Sequence, residues 1–400
     1  MKVRAGSSHL LGMKLSAFLL VFLAACGGTV LIDTAPGNDA GAGNDSGTTP
    51  TADGGNPVAD GGTPIACPAT TTELFTLTGA NEPSIDALAV DDRGNVAFTY
   101  PREDSQRRLV GFNVANPAKS YALENPENGV TGIGSSVVVE GGVAYFVGKG
   151  ALRKVGFDDQ PSQPVGTNPA GIAAIGGEFT QGKAGALFGD ADNGTDNGLR
   201  ALFRFHAPSE ITAMTHDGVG LTFFAGFDRG FIAIGRSNGA LYTGLDINGT
   251  TTREDTQGHT MQAPIGVLST TGGPYAYWTE RKGGVETIVR TIIPSLDPTD
   301  RSTPAPIDVV ASTDTDLLQS MAVLGLDDVL VASSCKQCVR RAATLRRFRA
   351  GAPTSVAGDG IEGHTTDDIS ALTVRGGCAF WAEVGSGSGG RASRIYWRKL

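Results

Sequence analysis

From residue 67 onwards short apolar runs alternate with compact polar breaks, and one phrase recurs seven times: an apolar strand, a tight Gly or Asp turn, and a second strand with bulky residues. The copies are IDALAV-DDRGN-VAFTY (85–100), SSVVV-EGG-VAYFV (135–147), IAAI-GGEFTQGKAG-ALFG (172–189), LTFFAG-FDRG-FIAIG (221–235), IGVLS-TTGG-PYAYWT (265–279), MAVLG-LDD-VLVAS (321–333) and ISALTV-RGG-CAFWAEV (369–384). Each predicts a hairpin whose turn takes positive φ. A third strand follows every copy: LVGFNV (109–114), LRKVGF (152–157), LRALFRF (199–205), ALYTGL (240–245), ETIVRTII (286–293), TLRRFRA (344–350) and RIYWRKL (394–400). Weaker fourth strands read KSYALE (119–124), EITAMTH (210–216), IDVVAS (307–312) and TSVAG (354–358).

The second strands are spaced by 42 to 53 residues. Four short strands repeated at that period predict an all-β fold, a seven-bladed β-propeller over residues 67–400. Its closure is also legible. The last unit stops at its third strand with Leu400, while an unattached strand, ELFTLT (73–78), precedes the first unit. Supplying the missing outer strand from the N-terminal side closes the ring and removes exposed edges. A pair of β-sandwiches is the alternative, and sandwiches rarely repeat one phrase so evenly.

Composition changes the picture at the N-terminal end. The 57 glycines among 400 residues argue against long helices. Residues 15–25, LSAFLLVFLAA, follow Lys2, Arg4 and Lys14, and are too short to span a bilayer, so residues 1–25 predict an export signal starting at Met1 or Met13. The ending Leu23-Ala24-Ala25-Cys26 resembles a bacterial lipobox, which implies a signal cut before Cys26 and an acylated, palmitate-bearing cysteine. Gly27 stands where inner-membrane lipoproteins carry a retaining aspartate, so the resemblance implies the outer membrane, with the domain facing periplasm or cell surface. Residues 26–66 predict a disordered tether: from Gly27 on they hold ten Gly and five Asp, with no Lys or Arg. Such a chain spans roughly 35 Å. Processing would take the formal charge from -9 to -12, leaving -7 on residues 67–400. That balance argues against a nucleic-acid partner.

With strand, Gly-Gly and aromatic-rich strand in each blade and an Asp-Gly tether, the chain resembles the propeller-type lipoproteins of myxobacteria. Gly258-His259 and Gly363-His364 are similar to the Gly-His of WD repeats, yet no Trp-Asp pair ends a blade. Three tryptophans cannot supply the docking motifs of quinone-dependent propellers. The resemblance is architectural and assigns no function.

Loops between blades bring one polar group each towards a common channel mouth: Glu82, Asn128, Asn168, Asp217, His259, Asp316 and Asp367, with His364 beside the last. Loops are polar because they are wet, but Gly-His-Thr recurs before the fifth and seventh blades. Such a ring suits a saccharide, a peptide or a cation. The loop GDADNGTDNG (189–198) gathers Asp190, Asp192 and Asp196, oxygen donors suited to Ca²⁺, though it departs from an EF-hand and a long hairpin loop is the plainer reading. No other cofactor is expected.

Four thiols remain beyond Cys26. Cys378 opens the second strand of the last blade and Cys67 precedes the closing strand. These strands run parallel, which predicts a Cys67–Cys378 disulfide fastening the ring. Cys335 and Cys338 then pair with each other; a redox C-x-x-C, or a zinc site with His364, are the alternatives. Arg340, Arg341, Arg346, Arg347 and Arg349 form a basic stripe, either a solvated strand surface or a contact for anionic polysaccharide. No nucleophile elbow and no H-E-x-x-H occurs. The expectation is a monomeric, lipid-anchored, non-enzymatic binding or scaffold module for an envelope protein or glycan. The alternative is a hydrolase or lyase of extracellular polymer using His259, His364 and nearby Asp.

Overall fold

The computed structural model describes residues 65–400 except 78–83, 102–105, 125–129, 159, 183–185, 193–199, 207–209, 215–219, 228–229, 246–249, 255–258, 271–272, 294–306, 312–315, 336–341, 350–351, 359–365 and 388–389. The expected signal, residues 1–25, and the expected tether, residues 26–66, lie outside it except for Ile65 and Ala66, and Ile65 is not tether but packs against the cluster between blades 7 and 1. Among the described residues there are 28 strands and no helix, so no helix long and apolar enough to cross a membrane. The strands form seven four-stranded antiparallel sheets, the seven expected blades. The inner strands, in blade order, are Ala87–Val90, Val137–Glu140, Ala174–Gln181, Leu221–Phe227, Gln262–Leu268, Asp316–Gly325 and Asp368–Arg375. Each contacts the next, and the seventh contacts the first.

Closure follows the expected route. Thr72–Leu77 pairs antiparallel with Gly390–Lys399 as the outer strand of blade 7. Cys67 is bonded to Cys378, and Arg375 at the end of the seventh inner strand holds Asp92 of blade 1 through two 2.6 Å contacts.

Seven hydrophobic clusters hold the ring, and each is built from two neighbouring blades. Adjacent residues of a strand point to opposite faces, so each second strand feeds two interfaces. In blade 7, Phe380 packs towards blade 1 and Trp381 towards blade 6. In blade 5, Tyr277 packs towards blade 6 and Trp278 towards blade 4. This is why the second strands are bulky at successive positions. Seven radial interfaces also dispose of the paired-sandwich alternative.

Two expectations need correction. In blade 3, GGEFTQ is strand and not turn, because the inner strand runs Ala174–Gln181. Its glycines permit close approach to blade 2: a Cβ on Gly134 would lie 2.8 Å from Gly177 Cα. Positive φ is present at Gly94, Gly141, Gly142, Gly273, Gly376 and Gly377, but the blade 6 turn at Leu326 and Asp327 has none. A register shift between Val323 and Gly325 bends that hairpin instead. Fourth strands also occur in blades 2 and 4, at Gln163–Pro164 and Thr250–Arg253, too short and polar to be read from pattern.

Candidate functional site

The inner strands all begin at one face of the ring. Where they are described, the segments entering the blades, such as those of Asn168, His259 and Thr366, lie at that face, the expected channel mouth.

The most developed cluster is in blade 5. His259, in the loop entering the blade, places Nδ1 2.6 Å from Glu280 Oε1, and Trp278 Nε1 donates to the same oxygen at 2.8 Å. Glu280 is buried, with Lys282 Nζ 3.6 Å from its other oxygen. Lys282 also donates to Asp308 at 2.6 Å, and that bond, with nearby acidic charge, raises its ammonium above the ordinary value. Blade 7 repeats the arrangement. Trp381 Nε1 donates to Glu383 Oε1 at 2.7 Å, and Thr366 Oγ1, from the loop entering the blade, donates to Glu383 Oε2 at 2.9 Å. Both carboxylates act as staples, fixing an entering loop to a buried indole. The signal was present as Trp278-Thr279-Glu280 and Trp381-Ala382-Glu383, but its meaning required the loop to be in place.

Between blades 3 and 4 a second carboxylate joins neighbouring inner strands. Glu178 Oε2 accepts Thr222 Oγ1 at 2.6 Å and the Phe223 amide at 3.2 Å. Phe223 has φ 54°, a left-handed backbone in a bulky residue. Arg236 Nη2 lies 3.6 Å from Glu178 and 3.3 Å from Asp190. In blade 1, Arg107 Nε donates to Asp86 at 2.7 Å. Burial raises the Asp86 carboxyl above its ordinary value, and Arg107 offsets only part of that.

Pattern alone missed the bulges. The inner strands of blades 3 to 7 each shift register near the mouth: between Ile175 and Phe179, Thr222 and Ala225, Gln262 and Ile265, Leu318 and Ser320, and Ile369 and Ala371. Bulges re-aim side chains. They deliver Glu178, Phe223, Gln319 and Ser370 to this end of the ring, each partly exposed.

The expected site residues divide. Glu82, Asn128, Asp217, His364 and Asp196 lie outside the described residues, and Asp316 opens the sixth inner strand with its side chain also outside. Asn168 ties its own loop, donating from Nδ2 to the Gly150 carbonyl at 3.1 Å. Asp367 precedes the seventh inner strand, its amide donating to the Val384 carbonyl. Asp190 and Asp192 are in strand Leu187–Asp192, not in the expected long loop, because they pair with Leu202 and Arg200. Asp190 is buried against Arg236. Among the described residues no group of three or more His, Cys, Asp or Glu side chains is placed to hold a metal ion. Cys335 is disulfide-bonded, and Cys338 lies outside the described residues. Two arginines of the basic stripe, Arg347 and Arg349, are engaged by Asp328.

No protein-family model matches the sequence, and no curated protein matches it. The fold is similar to YCF48 from Cyanidioschyzon merolae, with TM-score 0.51 and 11% identity over 83% of this chain and 98% of that one. It is also similar to the extracellular domain of the hybrid two-component system BT4673 from B. thetaiotaomicron, with TM-score 0.51 and 12% identity, over 82% of this chain and 39% of that one. Identities this low show the shared propeller fold alone.

Proposed function

We propose that this chain is a bacterial lipoprotein of the myxobacterial propeller type, anchored in the outer membrane. In this reading residues 1–25 are a signal removed on processing, Cys26 carries the lipid, and residues 26–66 are a tether. Residues 67–400 are a monomeric, non-enzymatic binding module for an envelope protein or glycan, facing periplasm or cell surface. The anchor rests on the apolar run and the Leu23-Ala24-Ala25-Cys26 ending. Mass spectrometry of the mature N-terminus tests it: an unmodified Cys26, or cleavage elsewhere, overturns it.

The non-enzymatic reading rests on how the mouth carboxylates are engaged. Glu280 and Glu383 are buried and committed to indole N–H groups and loop residues. Groups so committed are poorly placed to exchange protons with a substrate. One observation favours the second reading, a hydrolase or lyase of extracellular polymer: the 2.6 Å contact of His259 with Glu280 is an imidazole–carboxylate pair at the expected mouth. Assays against neutral and acidic polysaccharides, with wild type and Glu280→Gln, separate the two. Depolymerisation lost in the variant would establish the enzyme; absence of turnover together with retained capture of a glycan or envelope protein supports the module.

A further inference from the structure

The chain enters the ring at the face opposite the expected channel mouth. Ile65 lies against the turns joining first to second strands in blades 1 and 7: a Cβ on Gly94 or Gly376 would be 3.9 or 3.8 Å from it. Cys67 is bonded to Cys378, just beyond the second of these turns. Arg375 draws the same turns together, pairing with Asp92 and lying 3.8 Å from Glu140 of blade 2. Whatever precedes residue 65 therefore leaves from the hairpin-turn face.

That face also carries the two large apolar side chains that are exposed among the described residues, Leu326 at 40% and Ile307 at 57%. Leu326 is in the hairpin turn of blade 6, and Ile307 opens the outer strand of blade 5. One buried arginine holds both. Arg290 Nη1 donates to the Leu326 carbonyl and to Asp327 Oδ1, and Tyr277 Oη donates to the same carbonyl at 2.9 Å. Ile307 is the cross-strand partner of Arg290, so the two side chains leave the sheet on the same side. Neither Leu326 nor Ile307 belongs to the cluster between blades 5 and 6. An isolated exposed aliphatic is ordinary. Here two share one arginine, on the face from which the chain departs.

We infer that this edge docks the ring on a phospholipid surface, with Leu326 and Ile307 entering the headgroup region and the channel mouth turned away. This rests on the lipid-anchor reading above and adds the orientation of the ring. A flexible tether of roughly 35 Å brings the ring to the bilayer but leaves it free to turn. Burying the apolar edge selects one orientation. Charge does not supply the attraction. The chain carries a formal charge of -9, and on this face Arg290, Arg347 and Arg375 are paired with Asp327, Asp328 and Asp92.

The test uses the processed, acylated protein in vesicles of phosphatidylethanolamine and phosphatidylglycerol, with and without brominated acyl chains. Trp278, Trp381 and Trp397 are buried, so an added tryptophan reports its own position. Leu326→Trp places one in the docking edge; Arg281→Trp places one at the opposite end of blade 5, where Arg281 is exposed. Insertion by roughly 5–10 Å should let bromolipid quench the Leu326→Trp emission about twofold, while the Arg281→Trp emission stays unchanged. Adding Ile307→Ser to Leu326→Trp should lower the ratio of docked to undocked protein about fivefold, or about 1 kcal/mol. Its melting temperature should not move, because Ile307 is outside the core cluster. Quenching should survive about 1 M sodium chloride, which screens exposed charges within about 3 Å.

Quenching of Arg281→Trp and not Leu326→Trp would place the mouth on the bilayer and overturn the orientation. Acylated protein that sediments with vesicles while neither tryptophan is quenched would overturn the docking edge and leave the anchor standing. Quenching lost in salt would make the contact ionic and overturn its apolar basis. A dimer of the wild-type protein that Leu326→Ser disperses would show that the edge joins two copies instead. A mature chain with unmodified Cys26 would overturn the anchor and the docking together.

Discussion

Cys67 is bonded to Cys378, 311 residues further along the chain, so the closing strand and the last blade are covalently one unit. Cys378 is fully buried in the cluster between blades 7 and 1, where the ring would otherwise open. Cross-linking a loop of this length stabilises by roughly 5 kcal/mol through the entropy it removes from the unfolded chain. Cys378→Ser, or reduction with dithiothreitol, should lower the denaturant midpoint correspondingly. An unchanged midpoint would show that strand pairing alone holds the ring.

Glu280→Ala should leave the Trp278 indole and the His259 ring without their shared acceptor. Trp278 is fully buried, so its N–H has no water to turn to. The expected loss is about 1–3 kcal/mol, read by chemical denaturation. Glu383→Ala should behave alike through Trp381 and Thr366. A variant as stable as wild type would remove the staple interpretation.

Glycine at 226 allows the fourth inner strand to approach the third, since a Cβ there would overlap the Gln181 carbonyl group. Backbone cannot yield as a flexible side chain does. Gly226→Ala should therefore cost about 3 kcal/mol or fail to fold. Gly171→Ala is a poor control because its φ is 86°; Gly325→Ala, with ordinary φ and only a 3.5 Å neighbour, should be nearly neutral.

Acid should weaken the sixth blade only once the pH falls below the ordinary carboxylate range. Burial raises the Asp328 carboxyl, but the hydrogen bonds and charges of Arg347 and Arg349 outweigh it and hold it below its ordinary value of 3.8. A carboxyl lowered on folding contributes stability above pH 3.8, and this is lost as pH falls through the folded value. Arg347→Gln, breaking a bidentate pair whose members are 20% and 19% exposed, should cost roughly 1.5–3 kcal/mol at pH 7 and much less in acid. A penalty independent of pH would mean that Arg347 acts through packing alone.

Several features were legible because they are local. A strand needs only its own alternation, a hairpin only its turn residues, and the spacing of the second strands only counting. The Cys67–Cys378 bond was legible one step later, because a closed ring with a known strand order leaves its ends little freedom. Other features were not. GGEFTQ looks like a turn, since Gly-Gly is a turn signal, but is strand in the fold, where Gly177 lies close against Gly134 of the preceding blade. His259 looks like part of a ligand ring until Glu280, on a strand that follows a hairpin, is found beneath it.

Sequence by itself determined the all-β class, the seven blades, the direction of closure and the sulfur pair that fastens it. Tertiary structure decided which polar groups reach the channel mouth and which are spent holding loops. The physical reason is register. A bulge such as that at Gln319 shifts a strand by one residue against its partner, and one residue turns a side chain from one face of a sheet to the other. That shift belongs to the pairing of two strands and to the neighbouring blade, and the residues at 319 and 370 carry no local sign of it.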